Sequence, residues 1–189
     1  MSCPFETLEN PLTSGYRELK DFILSEQFPW FYNNQATPYA KALGFEQEHK
    51  DLSFYSHAVL HGPAHPATMN SEHRRYPKSN SQYLDAFDDV INDIMLSNNM
   101  NVHCIYRINA NAVHPVEGNV LTVPHTDHEF PHKNLLIYLT DAGGRTYCDK
   151  DGKDHYFDPC EDDIVTFEGL HYMQPPKFKR RVVIVVTYL

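Results

Sequence analysis

Residues 163–189 read DIVTFEGLHYMQPPKFKRRVVIVVTYL. An apolar run of strand length, Ile164–Phe167, ends at Gly169, and His171 follows just past it. A proline-containing turn then leads to Arg181, which opens RVVIVVTYL. This second run is dominated by β-branched residues, which suit a pleated and buried surface. An arginine at the head of a buried strand is unusual, because an unpaired buried charge is expensive. The cost disappears if the arginine holds an anion.

Working outward, VHCIYRINANAV (102–113), NLLIYLTDA (134–142), GRTYCDK (144–150) and KDHYFD (153–158) are further short β-rich runs between Gly, Pro and Asp turns. Short strands at such spacing suggest a sandwich or barrel, and jelly rolls are a common solution. The first hundred residues read differently. TSGYRELKDFILSEQFPWFYN (13–33) opens on a Thr/Ser cap signal and places Tyr16, Leu19, Phe22 and Ile23 at helical spacing, with Pro29 as the expected stop. DLSFYSHAVLHG (51–62) reads as a strand and residues 63–80 as a loop. In SQYLDAFDDVINDIMLSN (81–98), Leu84, Phe87, Val90, Ile91, Ile94 and Met95 share one helix side, with a solvated acidic face opposite. The expectation is a single α+β domain over 1–189, mainly β. Residues 1–100 form a helical and loop support region, with helices packed outside a β core built by 101–189.

Composition narrows the functional classes. The formal net charge is −9, which disfavours a nucleic-acid binder despite basic islands at KFKRR (177–181) and HRR (73–75). The four cysteines, Cys3, Cys104, Cys148 and Cys160, form no C-x-x-C pair and read as free thiols of a reducing compartment. The N-terminal MSCPFETLENPL lacks a charged start followed by an apolar run, so no secretory leader is expected. No apolar run approaches the roughly 18 residues of a membrane span. A soluble, cytoplasmic protein is the expectation.

VPHTDHEFPHKN (123–134) carries the chemistry. In a chain with 12 histidines, about one His-x-Asp arises by chance, so the triplet needs support from elsewhere. Residues two apart on a strand share a face, so His125 and Asp127 would aim an imidazole and a carboxylate at a common point. His171 is the candidate third ligand and Arg181 the candidate anion holder. This set, with NLLIYLTDAGG and its tyrosine followed by a glycine turn, resembles the iron(II)/2-oxoglutarate-dependent oxygenases. The likeness is greatest to small prolyl 4-hydroxylase-like members, including phage and marine microbial ones. It covers roughly residues 101–189, with FPWFY near residue 30 a weaker echo.

The resemblance implies a double-stranded β-helix, the jelly roll reached above from strand count. It implies Fe(II) held by His125, Asp127 and His171, a facial triad that leaves positions open. It further implies 2-oxoglutarate as cosubstrate, O2 as oxidant and ascorbate as a candidate reductant. Arg181 would hold the far carboxylate, assisted by the Tyr138 phenol. The products would be succinate, CO2 and an oxidised C–H bond. The substrate class stays open between a protein or peptide residue, proline being the first choice, and a small molecule.

Other readings remain. Arg180 is adjacent to Arg181, and one residue of register decides which points inward. His128, on the opposite strand face from His125, and His132 are read as surface or substrate-side groups. Arg107, Asn109 and Asn111 alternate on one strand face, either lining the cavity or making structural hydrogen bonds. A cupin-type metal-binding jelly roll is the alternative function, as isomerase, cosubstrate-independent dioxygenase or sensor. A zinc hydrolase and a non-catalytic interaction module stand behind it.

Overall fold

The computed structural model describes residues 3–34, 49–50, 52–62, 77–118 and 120–189. Helix α1 (Ser14–Leu24) begins where the Thr13 side chain accepts the Tyr16 N–H at 3.2 Å. It stops at Leu24, ahead of Pro29, because the Ser25 hydroxyl and N–H both donate to the Phe22 carbonyl, at 2.8 and 3.1 Å. Helix α2 (Leu84–Ser97) buries the apolar side expected of it, Phe87, Val90, Ile91, Ile94 and Met95.

The strands are β1 (Glu6–Leu8), β2 (Phe31–Asn33), β3 (His49–Lys50), β4 (Phe54–His61), β5 (Lys78–Ser79), β6 (Ile105–Val113), β7 (Leu121–Thr122), β8 (Lys133–Tyr138), β9 (Thr146–Lys150), β10 (Lys153–Phe157), β11 (Ile164–Glu168), β12 (His171–Met173) and β13 (Arg181–Tyr188). The large sheet runs β1-β11-β8-β13-β6-β4-β2, antiparallel throughout, with β5 paired to β4. A smaller sheet, β10-β9-β12, and the parallel pair β3-β7 complete the strands.

The central strand β13 is buried along its whole length, so its two faces can be assigned from packing. Val182, Ile184, Val186 and Tyr188 join α1 and α2 in one apolar cluster. Val183 and Val185 face the other way, packing with Leu136, Tyr138, Val165 and Phe167 against Cys148 of β9. The alternation of β6 matches: Ile108, Ala110 and Ala112 lie on the helix side, leaving Arg107, Asn109, Asn111 and Val113 for the interior. The protein is therefore a mainly β jelly roll, with two helices among the described residues packed outside it.

The sheet is not built by the second half alone. β4 pairs with β6 over most of its length, and β1 pairs with β11. Without them β6 and β11 would each present an unpaired backbone edge. Residues 63–76 of the expected loop lie outside the described residues. Among the described residues, no helix is long and apolar enough to cross a membrane.

Candidate active site

Two hydrogen bonds set the site's geometry. The His125 N–H donates to the His171 carbonyl and the His171 N–H returns the bond to His125, both at 2.9 Å. The two histidines are thus a hydrogen-bonded antiparallel pair, and such pairs project side chains to one face. Their ring centroids lie 4.6 Å apart. This bridge is the only strand character at His125, since the chain bends from Asp127 onward. Asp127 nonetheless turns its carboxylate into the same space. The candidate ligand atoms of His125, Asp127 and His171 all lie within 4.8 Å of one another. Atoms about 2.1 Å from one ion on mutually cis positions are roughly 3 Å apart, so the widest pair of the set would close by up to about 1.8 Å on binding a metal.

The surrounding hydrogen bonds fit a cation. His125 Nδ1 is 3.0 Å from the Val123 carbonyl and His171 Nδ1 is 3.1 Å from the Gly169 carbonyl. A carbonyl only accepts, so each Nδ1 carries the proton and each Nε2 keeps its lone pair for a metal. Asp127 Oδ1 pairs with the Arg107 guanidinium, and Asp127 Oδ2 is buried with no hydrogen-bond partner. Burial alone would raise the Asp127 carboxyl. Arg107, with His171 and His125, more than reverses this and holds it well below the usual carboxylate range. Burial, reinforced by His125, pushes His171 down to about 4, so its imidazole is neutral at neutral pH.

A cavity of about 190 Å³ runs from these three residues to Arg181. It is smaller than the roughly 300–1,000 Å³ of drug-sized sites and suits a small ligand. Arg107, Asn109, Asn111 and Thr146 line it along with Leu136, Val183 and Val185. Arg181 is 4 % exposed, on the interior face of β13. Its Nη2 donates to Thr146 Oγ1 at 2.7 Å and reaches Tyr138 Oη at 3.4 Å. Its Nε and Nη1 are buried with no partner. Burial draws the guanidinium's pKa down, opposed by Tyr138. Arg180 faces away, with its guanidinium 5.6 Å from the Trp30 ring centroid.

Tyr138 stands behind Arg181 and does not line the cavity; its hydroxyl bonds Thr146 Oγ1 at 2.8 Å. Thr146 is the group that sequence reasoning missed, and nothing in GRTYCDK marks it out. Arg107, Asn109 and Asn111 do reach the cavity, and the Oδ1 atoms of both asparagines are buried without partners. His128 is neither free nor a fourth ligand of this group: its Nε2 meets Thr187 Oγ1 at 2.7 Å and its ring stacks on Phe130. His132 is buried rather than on the surface, its Nδ1 held by the Phe130 carbonyl at 2.7 Å.

No sequence profile of a known family matches this chain. No curated protein matches it by sequence either. Solved structures do share its fold. An oxidoreductase of the 2OG-Fe(II) oxygenase family from Burkholderia pseudomallei aligns with a TM-score of 0.65 at 12 % identity, over 98 % of this chain and 84 % of that one. SnoN, a non-haem alpha-ketoglutarate-dependent epimerase from nogalamycin biosynthesis, aligns with a TM-score of 0.56 at 11 % identity, over 99 % and 78 %. AviO1 from Streptomyces viridochromogenes aligns with a TM-score of 0.52 at 13 % identity, over 98 % and 89 %. At these identities the likeness is one of fold, and function must be argued from the site.

Proposed function

We propose that this protein is an Fe(II)- and 2-oxoglutarate-dependent dioxygenase that hydroxylates a C–H bond of its substrate, releasing succinate and CO2. One observation carries the reading. A single small cavity has two imidazoles and a carboxylate converging at one end, and at the other a buried arginine with two unpaired donors. The first end suits a metal with open positions and the second suits a carboxylate, so a small oxoacid would answer both. Sharing a fold with a protein solved with Fe3+ and alpha-ketoglutarate supports the same reading.

The donor set fits Fe(II): two neutral imidazoles and one carboxylate are the facial triad of non-haem iron oxygenases. His125, Asp127 and His171 would hold the metal. Bound there with 2-oxoglutarate, iron supplies the activation of O2 that is coupled to loss of CO2. The chain's own residues do the rest. The Val123 and Gly169 carbonyls fix both imidazole tautomers. Arg181 would hold the distal carboxylate through its unpaired guanidinium donors, while Thr146 and Tyr138 orient Nη2. Leu136, Val183 and Val185 keep water from the cavity wall.

For the substrate we favour a peptidyl residue, proline first, in a cytoplasmic setting with ascorbate as reductant. A cupin-type site has no evident use for the buried Arg181, and a zinc hydrolase needs no cosubstrate anchor. Succinate release, screened against peptide, nucleic-acid and metabolite pools, tests the proposal. Turnover that needs Fe(II) and 2-oxoglutarate, and is lost in His125→Ala, is the expected result. Turnover in iron-stripped protein, unaffected by chelator, would replace this reading with the cupin or hydrolase alternative.

A further inference from the structure

We propose that Arg107 is a positioning residue that restricts Asp127 to one-oxygen metal binding and so keeps a coordination position open. The inference rests on the function proposed above and concerns how the same site is kept reactive. Its starting point is an asymmetry within one carboxylate. Asp127 Oδ1 is engaged by Arg107 Nη2, while Oδ2 is buried, unpartnered and 3.7 Å from His171 Nε2. The two oxygens of Asp127 therefore have different roles: one is tied to the guanidinium, and the other points to where the imidazoles converge.

The distinction matters because a carboxylate can bind a metal through one oxygen or two. With His125, Asp127 and His171 each giving one atom, the metal would keep positions open, and the proposed reaction would need them for the oxoacid and for O2. A second Asp127 oxygen would take one of these away. Occupying Oδ1 with a guanidinium prevents that, and it still leaves a full charge on the group.

The mechanical arrangement assigns the control to the arginine rather than to the loop. Arg107 lies in β6, whose register is fixed on one side by β13, where it faces Thr187, and on the other by β4. Asp127 follows a single bridge and stands in a bend. The better-anchored partner sets the direction of the other. A merely charge-balancing cation would serve as well if it were a lysine, since only the charge would count. A positioning arginine would not, because the planar guanidinium fixes direction and an ammonium does not.

The test uses Co(II) as an anaerobic probe in place of iron, since its visible spectrum reports coordination number and needs no turnover. Wild type, Arg107→Gln and Arg107→Lys are titrated with Co(II), and then with 2-oxoglutarate. Circular dichroism establishes that each variant is folded. Arg107→Gln is expected to lose roughly 10–100-fold in Co(II) affinity, the usual range for a group that orients a metal ligand. Its Co(II) spectrum should shift before cosubstrate is added, and its apparent 2-oxoglutarate affinity should fall at least tenfold. Arg107→Lys should recover metal affinity more than it recovers the wild-type spectrum. The inference is overturned if both folded variants keep the wild-type Co(II) spectrum and 2-oxoglutarate affinity, or if Arg107→Lys restores everything. If wild type takes up no Co(II), or His125→Ala takes it up equally well, the proposed function itself fails and this inference goes with it. The His125→Ala arm thus separates the two failures.

Discussion

Arg181 shows at the scale of one residue what the fold gives up for the site. Its guanidinium lies in the interior with Nε and Nη1 unpaired, and none of the described carboxylates forms an ion pair with it. An uncompensated buried charge opposes folding, so Arg181→Met should be at least as stable as wild type when no cosubstrate is present, measured by thermal melts. The same change should weaken 2-oxoglutarate binding by at least tenfold, because charge-assisted hydrogen bonds contribute about 1.5–3 kcal/mol. Arg181→Lys should recover only part of that loss, and Arg180→Ala, which removes a contact with Trp30, should leave the affinity unchanged. A large loss in Arg180→Ala instead would contradict the assignment. His171 offers a second check at this scale. Its pKa falls from 6.5 unfolded to about 4 folded, so between those values the unfolded chain binds a proton that the folded chain does not. Stability from this group is thus fully present above about pH 6.5 and is lost as pH falls toward 4. Denaturant melts of the metal-free protein across that window should show a shallower pH slope in His171→Asn than in wild type.

Among the elements, the connection from β8 to β9 is the most constrained. Gly144 has φ +89°, and a Cβ there would lie 2.6 Å from both the Gln174 and Pro175 carbonyl oxygens. Only a residue without a side chain lets this turn pass so close to the segment leading to β13. Gly144→Ala should cost about 1–3 kcal/mol from backbone strain alone, plus the clash. It should also weaken cosubstrate binding, because Thr146 follows two residues later; equal melts for variant and wild type would refute this. Elements of this kind also mark what the sequence makes legible. The runs behind β6, β8, β11 and β13 are long enough for apolar and β-branched content to identify them. Once Val182 and Val183 must both be buried, period two gives Arg181 and Arg180 opposite faces, although choosing the interior face needed the packed sheet. Strands of two or three residues, such as β2, β7 and β12, carry no periodicity of their own and exist because a partner edge is present. The His125–His171 bridge and the Arg107–Asp127 pair join residues distant in sequence, so they emerge only from the register. Thr146 reaches the cavity through β9, where nothing distinguishes its hydroxyl from any other strand threonine.

Across the whole molecule, the large sheet separates stability from chemistry. One face carries the continuous apolar cluster with α1 and α2, and the other carries the cavity with His125, Asp127, His171 and Arg181. Two substitutions on opposite sides of this sheet should therefore differ in what they do to ligand binding. Phe87 of α2 is fully buried in the helix-side cluster and touches Phe28. Phe87→Ala should cost about 3–5 kcal/mol, the usual range for an aromatic side chain removed from a core. The fraction that remains folded should bind Fe(II) and 2-oxoglutarate as wild type does, because β13 stands between that cluster and the cavity. Thr146→Val lies across the cavity, on β9 of the smaller sheet, and nearly conserves volume while removing the hydroxyl that Arg181 Nη2 and Tyr138 Oη share. It leaves one more guanidinium donor unpaired, which should cost about 1–3 kcal/mol of stability. Its 2-oxoglutarate affinity should fall several-fold through misorientation of Arg181, with Fe(II) affinity preserved. Chemical denaturation paired with anaerobic titration of both ligands separates the cases. If Phe87→Ala reduced ligand affinity in its folded fraction as strongly as Thr146→Val does, the sheet would transmit packing changes to the site, and the division of labour between its faces would not hold.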